Sequence, residues 1–398
     1  MTHLSLSNFR SYVELEADFE PGMVLLHGAN GQGKSNLIEA LYMLTIAQSL
    51  RASTDRELVR RQSVDGDSHA QVSAIIQRRS GDTRVQVNFK VAANGSQDGG
   101  DTSELAPTTE DFTVQKLVRV NGAPRRASEL VGEVNAVMFS AQDLELVFGP
   151  PSTRRRYLDI LISQLDQEYL RSVQRYQKVV SQRNHLLKLV RDGRSGAGEL
   201  EFWDDELVES GKYIMFRRAS VIETLSGMIA ALYGDLSGEG ESLRLAYRPG
   251  VQAPTEHGEE EFGDALRTAL IATRPRELAQ GHTVSGPHRD DAVVMLGGIP
   301  AGPYASRGQS RTAVLALKLA EASILRKERD DEPILLLDDV LSELDAERRA
   351  QVLDLANQYQ QCFITSADQA LVGDQYLSQM ARFAVRDGGI EAVGTDES

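Results

Sequence analysis

The sequence predicts an α/β protein in which both ends of the chain build one sheet-based head and an α-helical lobe is inserted between them. Three observations carry this. Val24 to His27 reads as a short buried strand, followed by Gly28-Ala29-Asn30-Gly31-Gln32-Gly33-Lys34-Ser35 and then an apolar-periodic helix through Tyr42. Near the other end, Pro333-Ile334-Leu335-Leu336-Leu337 is an apolar run closed by Asp338 and Asp339. Between them, Tyr157, Leu158, Leu161, Ile162, Leu165 and a later stretch from Trp203 to Leu236 recur at helical spacing.

The first stretch is G-x-x-x-x-G-K-S between a strand and a helix, the arrangement of a phosphate-binding loop. Glycines at 28, 31 and 33 let the backbone turn its N–H groups inward beside a helix N-terminus whose partial charge favours anions. Lys34 is placed to reach the outer phosphates of ATP, and Ser35 to offer its hydroxyl to Mg²⁺. A glycine-rich turn without a ligand is the structural alternative, and the flanking strand and helix argue against it. In the second stretch the acids sit at the C-terminal end of a buried strand, where ligands bind in open α/β sheets. Asp338 then holds Mg²⁺ directly or through water, and Asp339 orients the attacking water. The plainer alternative is an acidic turn after a core strand.

Taken in order, residues 3–9 and 13–19 alternate as strands before the Pro21-Gly22 turn, and 71–79, 83–91 and 112–121 read as three more. The polar segment 92–111 between the last two is too rich in Gly, Ser, Thr and acid to pack, and reads as a mobile hairpin insertion. Val134 to Ser140 is a further strand, leading into Gln142, and Gly149-Pro150-Pro151 ends the region. The expected division is an N-terminal part of the head at 1–150, a helical arm at 151–280 and the C-terminal part of the head at 281–398. Within the arm, the Gly/Ser break at 193–198 separates two helices able to lie antiparallel.

The chain has 398 residues, 41% apolar and 25% charged, ordinary for a soluble protein. No apolar run reaches the length of a membrane span and no signal peptide is visible, so a cytoplasmic location and no membrane partner are expected. The single cysteine, Cys362, has no second cysteine for a disulfide or a metal cluster. A net charge of −15 argues against nucleic acid by its sum, but not by its distribution. Acids gather at 98–111, 256–261 and the tail, whereas Arg154, Arg155, Arg156, Arg171, Arg175, Lys178, Arg183, Lys188, Arg191 and Arg194 crowd one stretch. That stretch is either a solvated helix face or a surface that tracks phosphates.

Tyr304-Ala305-Ser306-Arg307-Gly308-Gln309-Ser310-Arg311, opening a helix one strand before the acidic pair, resembles the signature of ABC-type ATPases. A plain helix cap is the simpler reading of the same turn. The resemblance implies that Ser306, Gly308 and Gln309 complete the nucleotide site of a second copy. It also implies that Leu341 to Asp345 is the D-loop at that interface and that Gln142 couples to Mg²⁺. The segment Cys362 to Asp368 lacks the histidine usual in ABC transporters, which leaves Thr365 or Ser366 in its place and implies slow hydrolysis. His288, in a Gly-Pro turn with no Cys or His nearby, reads as a structural hydrogen-bonder; Arg289 has Asp338, Asp291 or a phosphate as candidate partners.

With Asn8-Phe9-Arg10-Ser11-Tyr12, Gly149-Pro-Pro before Arg154-Arg-Arg, and Gly286-Pro-His-Arg-Asp-Asp291, these motifs are similar, in order and over nearly the whole chain, to the RecF family. These are bacterial recombination mediators related to the SMC and RecN ATPases. Arg307 in the signature and Gln142, where an acid is usual, depart from the family pattern. The resemblance implies an ATPase head of the ABC/SMC type and an ATP-dependent homodimer that binds DNA at single-strand gaps. It also implies work with RecO and RecR in loading RecA. The competing expectations are the energy subunit of an ABC transporter, which the inserted arm and missing histidine disfavour, and an SMC-like tether, for which the arm is short.

Overall fold

The computed structural model describes residues 1–60, 69–93, 112–238, 241–252, 258–329 and 331–393; the expected insertion lies outside them apart from its first two positions. The chain forms two compact units, Met1–Ala141 with Arg329–Ser398, and Gln142–Glu328.

The first unit holds a six-stranded sheet in the order Gly389–Val393, Ala381–Arg386, Gly22–His27, Gln361–Ser366, Ile334–Asp338, Ala136–Ser140. All neighbours are parallel except the first pair. Val24, Leu25, Leu26, Leu336, Phe363 and Ile364 are fully buried, as expected of strands covered on both faces and written as continuous apolar runs. The register aligns Ser366 with His27, Thr365 with Asp338 and Asp338 with Ser140, so the C-terminal ends of four strands from three distant parts of the chain meet at one edge. The second sheet is antiparallel, in the order Tyr12–Asp18, His3–Phe9, His69–Arg78, Gly81–Ala93, Phe112–Val120, Ala123–Arg125. Apart from Ala123–Arg125, its strands match the sequence reading to within a few residues, because alternating burial is written into them as Leu4, Leu6, Val72, Val85 and Val87.

The second unit carries the helices Pro151–Leu165, Gln167–Arg191, Leu200–Ser237, Glu259–Gln280 and Arg307–Glu328, with a small sheet of Leu243–Arg248, Asp291–Leu296 and Ile299–Pro300. Asp166 starts the second helix by accepting from the N–H groups of Glu168 and Tyr169, and Gly238 ends the third in the left-handed conformation, φ 62°. The two helices either side of residues 192–199 pack together as expected. The packing divides the chain elsewhere than the motifs suggest. Residues 281–328 belong to the helical unit rather than to the sheet-based one, because Asp291–Leu296 pairs with Leu243–Arg248 and helix Arg307–Glu328 buries Ala313, Ala316, Leu317 and Ala320 against Leu200–Ser237.

Residues 286–291 tie this unit together. Gly286 has φ 124°, and a Cβ there would collide with the Tyr176 hydroxyl. Asp290, 1% exposed, accepts from Arg218 Nη1 at 2.8 Å, Tyr247 Oη at 2.6 Å and Gly250 N at 2.7 Å. Its own carbonyl accepts from Arg155 at 2.7 Å, while Asp291 accepts from Arg154 Nε and Nη2 at 2.7 and 2.9 Å. Arg289 donates to the Thr283 carbonyl at 3.3 Å.

His288 is a structural hydrogen-bonder. Its Nδ1 lies 2.7 Å from the Tyr176 hydroxyl and its Nε2 3.2 Å from the Thr283 carbonyl. A neutral ring protonated on Nε2 satisfies both, accepting from Tyr176 and donating to Thr283. Burial, with Arg289, Arg155 and Arg183 nearby, lowers its pKa from 6.5 to about 4. The unfolded chain therefore takes up this proton first as pH falls. The contribution of His288 is complete above pH 6.5 and is lost as pH drops toward 4, by at most about 3 kcal/mol. Thermal melting from pH 7 to 4 should show this decline in the native chain and a flatter one in His288→Gln, whose amide can replace both bonds; equal slopes would refute the assignment.

Candidate nucleotide site

At the aligned strand ends, the loop from Gly28 to Ser35 leaves strand Gly22–His27 and opens helix Lys34–Ile46. Gly31 and Gly33 have φ 83° and 114°, values costly for any other residue, and a Cβ on Gly33 would press on Ser11 and Tyr12. The Tyr12 hydroxyl donates to the Gly33 carbonyl at 3.0 Å, and the backbone N–H of Asp387 donates to Gln32 Oε1 at 2.7 Å. The loop is thus pinned from both sides before any ligand arrives. Ala29 and Asn30 form its exposed tip.

Lys34 is 7% exposed and points back into the loop, donating to the carbonyls of Gly28 at 2.6 Å and Ala29 at 3.0 Å. Burial lowers its pKa, and Asp339 and Asp338 oppose the shift. Its ammonium is held by carbonyls rather than by a carboxylate, so an incoming phosphate can take it over without breaking an ion pair. The Ser35 hydroxyl donates to Asp338 Oδ1 at 2.8 Å across 303 residues of sequence. A hydroxyl and a carboxylate oxygen side by side are hard-oxygen donors of the kind that would suit a Mg²⁺ ion.

Thr365, 1% exposed, buttresses this pair. Its hydroxyl donates to Asp338 Oδ1 at 3.0 Å and accepts from the Asp339 N–H at 2.9 Å. Asp339 itself is exposed and has φ 55°, a conformation that non-glycine residues keep chiefly where a site demands it. Ser366 is turned to its own loop, donating to the Asp368 carbonyl at 2.7 Å. Thr365 therefore supports the acids. The D-loop segment keeps Leu341 buried, bonds Ser342 to the Asp339 carbonyl at 2.8 Å and ends with Asp345 capping helix Ala346–Ala356.

In the second unit, Ser306 and Gln309 form a reciprocal cap on helix Arg307–Glu328. Ser306 N donates to Gln309 Oε1 at 2.9 Å, and Gln309 N donates to Ser306 Oγ at 3.1 Å. The capping reading is therefore realised, yet the Ser306 hydroxyl only accepts in that bond, so its proton remains available. Ser306 and Gly308 are exposed, and Gln309 Nε2 donates to Glu241 at 3.0 Å. Gln142 is exposed on the short turn Ala141–Leu144. Of the basic stretch, Arg154, Arg155 and Arg183 are internal: Arg183, fully buried, bonds Asp204, Thr283 and Glu277.

Thr365 as a support and His27 are the two residues here that the sequence reading does not single out. The amide of Gln369 donates to His27 Nδ1 at 2.9 Å, and His27 Nε2 is buried without a hydrogen-bond partner among the described residues. Burial, followed by Arg382, Arg386 and Lys34, lowers the pKa of His27. Only its place directly before the loop could have drawn attention to it.

A model of the RecF/RecN/SMC N terminal domain matches residues 1–390. The "DNA replication and repair protein RecF" of Chloroflexus aurantiacus is 40% identical, covering 98% of this chain and 99% of that one. The protein of the same name from Oceanobacillus iheyensis is 33% identical, covering 97% and 98%. A solved recombination mediator protein RecF with ATP, in the RecFOR pathway, matches with TM-score 0.85 at 30% identity over 99% of this chain and 97% of that one. The Pyrococcus furiosus Smc head bound to the C-terminal domain of ScpA matches with TM-score 0.52 at 15% identity over 98% and 95%, a likeness of fold alone.

Proposed function

The chain belongs to the RecF family within the RecF/RecN/SMC group, and on that premise we propose that it is an ATP-dependent DNA-binding protein of replication and recombinational repair. The observation that carries this is the 2.8 Å bond from Ser35 to Asp338, which joins the two halves of a Mg²⁺–nucleotide site at one sheet edge. In this reading the backbone of Gly28 to Gly33 and the ammonium of Lys34 hold the phosphates. Ser35 and Asp338 would hold Mg²⁺, and Asp339 would orient the attacking water. Ser306, Gly308 and Gln309 of a second copy close over the outer phosphate, so ATP drives two chains together. The dimer clamps DNA at single-strand gaps and double-strand/single-strand junctions. With RecO- and RecR-class partners it promotes loading of the recombinase, and slow, DNA-stimulated hydrolysis releases it.

Light scattering with no nucleotide, ADP, ATP, and ATP plus gapped DNA tests this. The mass should double with ATP, return to that of one chain with ADP, and rise further on DNA. A mass indifferent to nucleotide would overturn the proposal.

A further inference from the structure

Helix Gln167–Arg191 packs Tyr169, Tyr176, Val179, Leu186 and Leu187 inward. Its outward stripe, at helical spacing, is Arg171, Gln174, Arg175, Lys178, Ser181, Gln182, His185 and Lys188, all exposed. It contains no carboxylate; the one acid of the helix, Glu168, sits in the first turn. The acids of this region lie instead on the next helix, at Glu201, Asp204, Asp205, Glu206 and Glu209. One of them, Glu206, pairs with Arg175 at 2.6 Å, leaving Arg171, Lys178 and Lys188 with no ion-pair partner among the described residues. In a chain of net charge −15, this ridge carries Arg171, Arg175, Lys178 and Lys188 and no acid. From Arg171 to Lys188 it runs about 25 Å, roughly seven base pairs of duplex.

At the far end of the ridge, past exposed Arg194, stands Phe202. It is 62% exposed and held edge-on to Trp203 with ring centroids 5.2 Å apart. Trp203 in turn packs on Leu186, Leu187 and Leu200. Phe202 is thus an apolar ring held against Trp203 yet open to solvent. A ring face of this kind accepts an unstacked base, which a closed duplex does not offer.

We propose that this ridge is the DNA-docking surface of the helical unit, with Arg171, Lys178 and Lys188 tracking duplex phosphates and Phe202 stacking on the first unpaired base. The inference rests on the proposed DNA-binding function and names its residues.

The experiment measures ATP-dependent binding of the full chain to a labelled duplex with a single-stranded extension and to a blunt duplex of equal length, from 50 to 200 mM salt. The variants are the triple Arg171→Ala/Lys178→Ala/Lys188→Ala and the single Phe202→Ala. All four side chains are exposed, and unchanged melting and ATP-dependent light scattering check that each variant folds. The triple variant should flatten the slope of log K against log salt by about 2.7, on either DNA. Phe202→Ala should weaken binding to the extended duplex about tenfold and leave the blunt duplex unchanged. A native slope in the triple variant, or equal losses on both DNAs for Phe202→Ala, would overturn the inference while leaving the DNA-binding function standing. If the native chain binds neither DNA, both fall.

Discussion

Lys34→Arg is expected to keep ATP binding within a few-fold and to cut turnover by about a hundredfold or more. The cause is shape rather than charge. Lys34 Nζ sits 2.6 and 3.0 Å from two carbonyls inside a loop that leaves the side chain 7% exposed. A guanidinium keeps the positive charge, but its planar fork is wider than an ammonium and cannot occupy the same point as charge develops on the transferring phosphate. Chains should therefore still pair with ATP and fail to separate. Steady-state turnover beside light scattering over hours reads both effects. A variant that lost nucleotide binding as severely as turnover would contradict the role given to Lys34.

The largest stability effect is expected at Asp290. Replacing it with alanine removes the acceptor of Arg218, Tyr247 and Gly250 together and leaves Arg218, 3% exposed, without its most buried partner. Breaking one side of a buried pair typically costs about 3–5 kcal/mol, because the abandoned charge stays desolvated. Asp159 also accepts from Arg218, at 2.8 Å, but is itself partly exposed. Chemical denaturation of the helical unit should show the loss. Asp159→Ala should cost clearly less, and the reverse order would refute the ranking.

These two sites differ in how much of them could be read from sequence. The loop at 28–35 and the acids at 338–339 were legible because phosphate and metal chemistry fix both residue type and spacing, whatever surrounds them. The strands were legible because burial on one or two faces writes a period. The 286–291 motif is visible in the sequence, but its purpose is not: the sequence leaves Arg289 a choice of Asp338, Asp291 or a phosphate, and the structure gives it the Thr283 carbonyl instead. In the sequence Thr365 reads as a candidate substitute for a catalytic histidine; the strand register, which sets it opposite Asp338, makes it a support. The unit boundary at Glu328 escaped for a related reason. The helix behind Ser306 carries an apolar face that fits any neighbour of suitable shape, and packing alone selects helix Leu200–Ser237.

The sheet order has a consequence for biosynthesis. The strand that launches the phosphate loop is complete by residue 27, yet its two lateral neighbours are Gln361–Ser366 and Ala381–Arg386. A growing polypeptide therefore exposes Val24, Leu25 and Leu26 on an unpaired edge through almost the whole of translation, while the helical unit between has all it needs to fold. The sheet edge that carries Lys34 and Asp338 is the last part of the molecule to be finished. A chain interrupted before its final strands leaves strand Gly22–His27 without one of its two neighbours.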